Sequence, residues 1–296
     1  MKKRIVGTSN IEISELSLGC MSLPANIGEA QPIIEAALDA GINYFDTADL
    51  YLQGENERIV GEILKPHRHN VILATKVGNR FEKGQEGWSW DASASYIKSA
   101  VKDSLKRLQT DYIDIYQLHG GTITDDLDAV IDTFDELKKE GFIRAYGISS
   151  IRPNVFMPFA EKGYALSNMM QYSLLDRRAE EWFSALTASG ISVVTRGSIA
   201  KGLLTKEWRS RLQDYMSYSQ QELATLLADL EARYGSLHSL ALAFNLQHKA
   251  IASTVIGAST KQQLLENIAA YYAIKDLPAI DGITEQIKKD TYTEHR

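Results

Sequence analysis

Residues 71–119 carry the pattern that decides the fold. They read VILATK (71–76), then SYIKSAVKDSLKRL (95–108), then IDIYQLH (113–119). The first and last runs are continuously apolar, as strands buried on both faces of a parallel sheet should be. Between them Ile97, Val101, Leu105 and Leu108 recur at intervals of four, four and three, which draws one apolar stripe along a helix. Strand, helix, strand is the repeating unit of a parallel α/β protein.

The unit recurs in both directions. Further apolar runs stand at ELSLGCM (15–21), NYFDTA (43–48), AYGISS (145–150), NMMQYS (168–173), ISVVTR (191–196) and STVIGAS (253–259), making eight in all. Helical patterns lie between them. In DDLDAVIDTFDELKKEG (125–141) the stripe is Leu127, Val130, Ile131, Phe134 and Leu137, with Gly141 as the stop. In QQLLENIAAYYAIK (262–275) it is Leu264, Leu265, Ile268 and Tyr272. Eight alternations with no Pro- or Gly-rich linker predict one domain over residues 1–296, a closed (β/α)8 TIM barrel. An open doubly wound sheet would bind nucleotide through GxGxxG after a strand, and the chain has no such run. KRIVGTSNIEIS (3–14) predicts an N-terminal β-hairpin on the barrel floor. Residues 203–235 exceed a normal connection after the seventh strand and contain a helical stretch, QQELATLLADLEARYG. An insertion of that length usually serves a site. From Leu277 onward the chain is polar and is expected to pack over the barrel.

Composition narrows the function classes. With 44% hydrophobic and 24% charged residues, the chain reads as a soluble globular protein. A net charge of −6 argues against nucleic acid. No window approaches the ~18 apolar residues of a membrane span. MKKRIVGTSN at the start lacks a signal peptide's apolar core. One cysteine, Cys20, excludes an internal disulfide and suits a reducing compartment, so a cytoplasmic location is expected. The sequence specifies no oligomeric state.

In such barrels the chemistry sits at the C-terminal ends of the strands. Asp46 ends the second run, Tyr51 lies in its loop, Lys76 ends the third and His119 ends the fourth. Singly, each has an ordinary explanation: a turn cap, a loop aromatic, a snorkelling lysine, a histidine on a loop carbonyl. Together they say more. A lysine directly after buried apolar residues needs a partner, and Asp46 on the adjacent strand can supply it. A phenol near an ammonium is the better proton donor, because the cation favours phenolate. It can protonate an alkoxide forming on a carbonyl oxygen, while a histidine donates a second hydrogen bond there. The set suits carbonyl reduction by a hydride donor.

GINYFDTADLY (41–51) followed by GENERIVGEIL (54–64) resembles the aldo-keto reductase family, which keeps Gly-x-Asn-x-x-Asp-Thr-Ala-x-x-Tyr at this point. LATKVG, YQLHGG, GISS, MMQYS and the GAS-to-LLEN segment follow in the family's order and spacing, so the resemblance spans the chain. It implies an NADP(H)-dependent oxidoreductase that reduces small aldehydes or ketones, with Asp46, Tyr51, Lys76 and His119 as its catalytic tetrad. It also implies a cofactor extended across the barrel mouth without a Rossmann domain. Gly19, Cys20, Met21 and Asp46 would border that cofactor, and Ser149, Ser150 and Gln171 match the residues that hold the carboxamide. Gly197, Ser198, Ile199, Lys201 and Gly202 match the loop around the pyrophosphate. Arg196 stands where many members stack an aromatic ring, and a planar guanidinium can also stack. Gly257, Ser259, Thr260, Lys261, Gln263, Glu266 and Asn267 match the loop and helix start at the adenosine end, with Lys261 the cation for a 2′-phosphate.

Other signals carry less. His67-Arg68-His69 reads as a solvated polar loop with no third ligand, so no metal is expected. Trp88 and Trp90 either wall a substrate pocket or pack their loop onto the barrel. Cys20 has no feature that would make it reactive. The same residues admit two alternatives to a reductase. One is a nucleotide-binding regulatory subunit of the channel-β type, which the intact tetrad disfavours. The other is a Schiff-base aldolase using Lys76, which the Asp46 partner disfavours.

Overall fold

The structure is a computed structural model that describes residues 1–82 and 84–294. Its centre is a closed, all-parallel barrel of eight strands: Leu16–Gly19, Tyr44–Asp46, Ile72–Val77, Ile113–Leu118, Ile143–Ile148, Ser167–Gln171, Ser192–Arg196 and Ile251–Gly257. All eight expected runs are strands, in sequential order around the barrel. The ring closes where the eighth strand pairs with the first, Val255 opposite Ser17.

The helices form where the stripes predict. Ile97, Val101, Leu105 and Leu108 are all buried on the helix Ala94–Leu108, whose first turn is capped by Ser93 accepting from the Tyr96 N–H. On Leu127–Lys139 the cap is Asp126, which accepts from the Ala129 N–H at 3.0 Å. The last barrel helix, Lys261–Tyr272, needs a correction. Its buried stripe is Leu264, Ile268 and Tyr271, whereas Leu265 and Tyr272 are exposed. A single residue turns a helix by about 100°, so a stripe read one position off faces solvent.

The N-terminal hairpin pairs Lys3–Ile5 with Glu12–Ser14, antiparallel. Val6 and Ile13 plug the barrel floor against inward-pointing Tyr44, Ile115, Met169 and Val194. The seventh strand is followed by two helices. Gln220–Tyr234 lies in the expected insertion and starts with a capping box between Ser219 and Glu222. Leu237–Leu246 is buried almost all round and contacts the eighth strand, so it is the barrel helix proper. The tail packs as expected. Ile283, Ile287 and Tyr292 are buried, and Arg177 donates to the carbonyls of Thr284 and Ile287 at 3.2 and 3.5 Å.

The reading of residues 67–69 as solvated fails at its centre. Arg68 is buried, 2.8 Å from Asp114, and its guanidinium lies 3.9 Å from the Tyr112 ring centroid. Among the described residues no cluster of three or more potential metal ligands occurs. No helix among them is long and apolar enough to cross a membrane.

Candidate active site

Three adjacent strand ends bring the four polar groups together. The second and third strands pair Asp46 with Ala74, and the third and fourth pair Lys76 with Gln117. Lys76 donates from Nζ to Asp46 Oδ2 at 2.5 Å, to the Thr47 carbonyl at 2.7 Å and to Tyr51 Oη at 3.5 Å. The ion pair is closed from water, with side-chain exposures of 1% for Lys76 and 5% for Asp46. Burial works to discharge the ammonium, but Asp46 and then Tyr51 outweigh it, so the lysine is held above its ordinary range and stays charged.

Tyr51 sits in a short 3-10 turn, followed by Leu52 and Gln53 at φ 51° and 50°. Two non-glycine residues in the left-handed region are costly, and such strain is concentrated at functional turns. The His119 ring lies edge-on to Tyr51, with centroids 6.0 Å apart and planes at 83°. Burial, reinforced by the Lys76 and Arg196 cations, pushes His119 down to about 3. The imidazole is therefore neutral at physiological pH. Its Nδ1 is buried without a hydrogen-bond partner among the described residues, so the tautomer carrying hydrogen on Nε2 strands an acceptor rather than a donor.

Gln117 was not among the residues singled out by sequence. It donates from Nε2 to Asp46 Oδ1 at 3.1 Å, so both oxygens of the carboxylate are engaged. The signal was a glutamine in the apolar run IDIYQL, two residues before His119 and hence on the same face of the strand. A second layer was also missed. Glu57, fully buried, accepts from Thr75 Oγ1 at 2.5 Å and from Arg107 Nε at 2.6 Å, which braces the strand beside Lys76.

Tyr51, Lys76, Asp46 and His119 open onto a cavity of about 840 Å³ at the barrel mouth. Both tryptophans line it. Trp88 is 58% exposed, whereas Trp90 is fixed by donating from Nε1 to Asp125 at 2.8 Å. Its ring lies so close to Gly78 (φ +126°) that a Cβ there would meet it at 2.6 Å. Wall and packing are thus one role for Trp90.

Gly19, Met21, Ser149, Ser150, Gln171, Arg196, Gly197, Lys201 and Gly257 all border this cavity. Gln171 is pinned at both ends, donating to Asp176 at 2.8 Å and accepting from Arg196 at 3.3 Å. Lys201 and Gly257 also border a second groove of about 750 Å³, where Ile199, Gly202, Gln263, Glu266 and Asn267 are found. The two spaces therefore adjoin at Lys201 and Gly257. Five expected contacts fall outside both: Cys20, Ser198, Ser259, Thr260 and Lys261. Cys20 is fully buried with its thiol 3.8 Å from the Leu18 carbonyl, and burial pushes that thiol far up. Ser259 spends its N–H and hydroxyl on Gln263 Oε1, both at 2.9 Å. Lys261 is exposed at the first turn of its helix. Ser198 is buried, its hydroxyl without a partner among the described residues. The second groove instead presents Lys206, paired with Glu266 at 2.8 Å, and Arg211 packed on Gly202.

A parallel eight-stranded barrel with a buried lysine–carboxylate pair, a phenol and a neutral imidazole at its mouth defines a barrel oxidoreductase. The chain belongs to the aldo/keto reductase family, whose family model matches residues 6–285. It is 50% identical to the uncharacterized oxidoreductase YqkF of Bacillus subtilis, with each chain covered in full. It is 31% identical to the NADH-specific methylglyoxal reductase of Escherichia coli, over 91% of this chain and 93% of the relative. Among solved structures, the holo form of aldo-keto reductase AKR11C1 from Bacillus halodurans superposes with a TM-score of 0.95 at 50% identity. That match covers 100% of this chain and 99% of the other.

Proposed function

We propose that the protein reduces aldehydes or ketones to alcohols with NADPH, reversibly. The observation that carries this reading is the contact of one buried, charged lysine with both a carboxylate and the Tyr51 oxygen. A bound nicotinamide coenzyme supplies the hydride. The residues of the chain do the rest. Tyr51 gives its proton to the oxygen on which charge develops, and the Lys76 ammonium stabilises the phenolate left behind. Asp46, held on both oxygens, keeps the ammonium in place. Neutral His119 donates its N–H to the same carbonyl oxygen and orients it. Solvent then restores the proton on Tyr51.

The adjoining grooves and their cations fit an extended dinucleotide. Arg196 and Lys201 are exposed, without a carboxylate within 4.0 Å among the described residues, and flank the first groove where a pyrophosphate would need positive charge. A preference for NADPH over NADH rests on Arg211 and Lys206 in the second groove, with Lys261 nearby in sequence at the start of its helix. The test is oxidation of NADPH and NADH in parallel, followed at 340 nm, against activated aldehydes, ketones and dicarbonyls. Turnover with none of them would sink the reductase reading.

A further inference from the structure

Resting on that reading of the same site, we propose that Arg152 makes the cavity selective for carbonyl substrates bearing a carboxylate. Its guanidinium would hold the anionic end while the carbonyl meets Tyr51 and His119.

The charge balance of the cavity points there. Its only acidic lining residue among those described, Asp46, is neutralised by Lys76. Three cations remain on the wall: Arg152, Arg196 and Lys201. Arg196 ends the seventh strand and Lys201 lies in the loop after it, where it also borders the second groove. Arg152 follows the fifth strand and leans the other way. It donates from Nη1 to the carbonyl of Gly121 at 2.5 Å, two residues beyond His119 and against the loop that holds Trp90. It therefore faces the part of the cavity that a cofactor running from the nicotinamide end to the second groove leaves open.

The side chain is built to receive an anion. It is half-buried, and its main chain is fixed by the N–H donating to Ser150 Oγ at 3.2 Å. One guanidinium hydrogen is used by Gly121, and among the described residues the others have no partner. No carboxylate lies within ion-pair distance of it among the described residues. A planar fork with free donors, held by one strong bond, matches a carboxylate in bidentate fashion. A neutral aldehyde would leave those donors to water.

The experiment pairs each ω-oxo carboxylate with a neutral aldehyde of the same length, succinic semialdehyde with butanal first, at low and high salt. Wild type should favour the acid of at least one pair by tenfold or more in kcat/KM, the preference residing in KM and shrinking with salt. Arg152→Gln should cut the acid-to-neutral ratio ten- to a hundredfold, and Arg152→Lys should restore part of it. A ratio of about one for every pair in wild type would overturn the proposal. So would Arg152→Gln lowering acid and neutral substrates equally, which would leave Arg152 only a latch on Gly121. Tryptophan fluorescence titration with succinate and with 1-butanol needs no turnover. If wild type turns over no aldehyde, the reductase reading fails, while tighter binding of succinate than butanol, lost in Arg152→Gln, would still support the anion site. Equal weak binding of the two would overturn it.

Discussion

Lys76 and Asp46 lie 30 residues apart in sequence and 2.5 Å apart in space, sealed from water on neighbouring strands. Removing one partner strands a buried charge, which typically costs about 3–5 kcal/mol. Lys76→Met and Asp46→Asn should each lower the unfolding midpoint and cripple turnover. The double variant should be no worse than the poorer single one, because groups acting as a unit are not additive. Multiplicative losses across the cycle would count against a coupled pair.

Tyr51→Phe removes the proposed proton donor and leaves the lysine with its carboxylate. Turnover should fall by about 10²- to 10⁴-fold. NADPH affinity, measured by fluorescence titration, should stay close to wild type, since the loss is specific to proton transfer. Unimpaired turnover would assign the proton to another group.

Gln117→Met leaves one oxygen of Asp46 without its donor at nearly constant volume. The loss of a hydrogen bond to a charged group is worth about 1.5–3 kcal/mol. The expected outcome is a lower kcat with unchanged cofactor binding. Equal kcat in the variant would make Gln117 a packing residue.

His119 is held neutral, pushed down to about 3 from an ordinary 6.5. Between those values the unfolded chain binds a proton that the folded chain refuses, so the group's contribution is intact above pH 6.5 and lost as pH falls toward 3. Between pH 7.5 and pH 5 the difference amounts to about 1–2 kcal/mol, allowing for partial exposure. The acid loss of stability in wild type should exceed that of His119→Gln over this window. Imidazole chemical shifts should show His119 neutral at pH 5; titration near 6.5 would refute the desolvated site.

The NADPH margin over NADH should depend on the cations that border the second groove. A charge-assisted contact of about 1.5–3 kcal/mol corresponds to ten- to a hundredfold in affinity. Arg211→Ala should reduce the margin more than Lys261→Ala, because Arg211 lines the groove and Lys261 does not. Salt should weaken it too. The reverse order in fluorescence titrations would return the 2′-phosphate to the helix start.

What the sequence by itself determined was most of what rests on local repetition, the stripe of the last barrel helix being one position off. Eight apolar runs and the helical stripes between them announce a parallel barrel, because burial on both faces and a 3.6-residue turn each leave a periodic mark. The run into Asp46, Lys76 and His119 was legible for the same reason: polar groups at the ends of apolar strands must lie at the barrel mouth. Which groups touch was decided only by closure of the barrel. The hydrogen bond from Gln117 to Asp46 spans 71 residues, and the buried pairing of Arg68 with Asp114 spans 46, so neither has a spacing that short-range periodicity can reveal. The same holds for Cys20, which stands at a strand end yet faces the core, and for Lys261, whose helix phase carries it away from the groove. Direction at a strand end is set by the last peptide before the loop, and charge pairing by whichever loop packs above it. Those are properties of the folded surface.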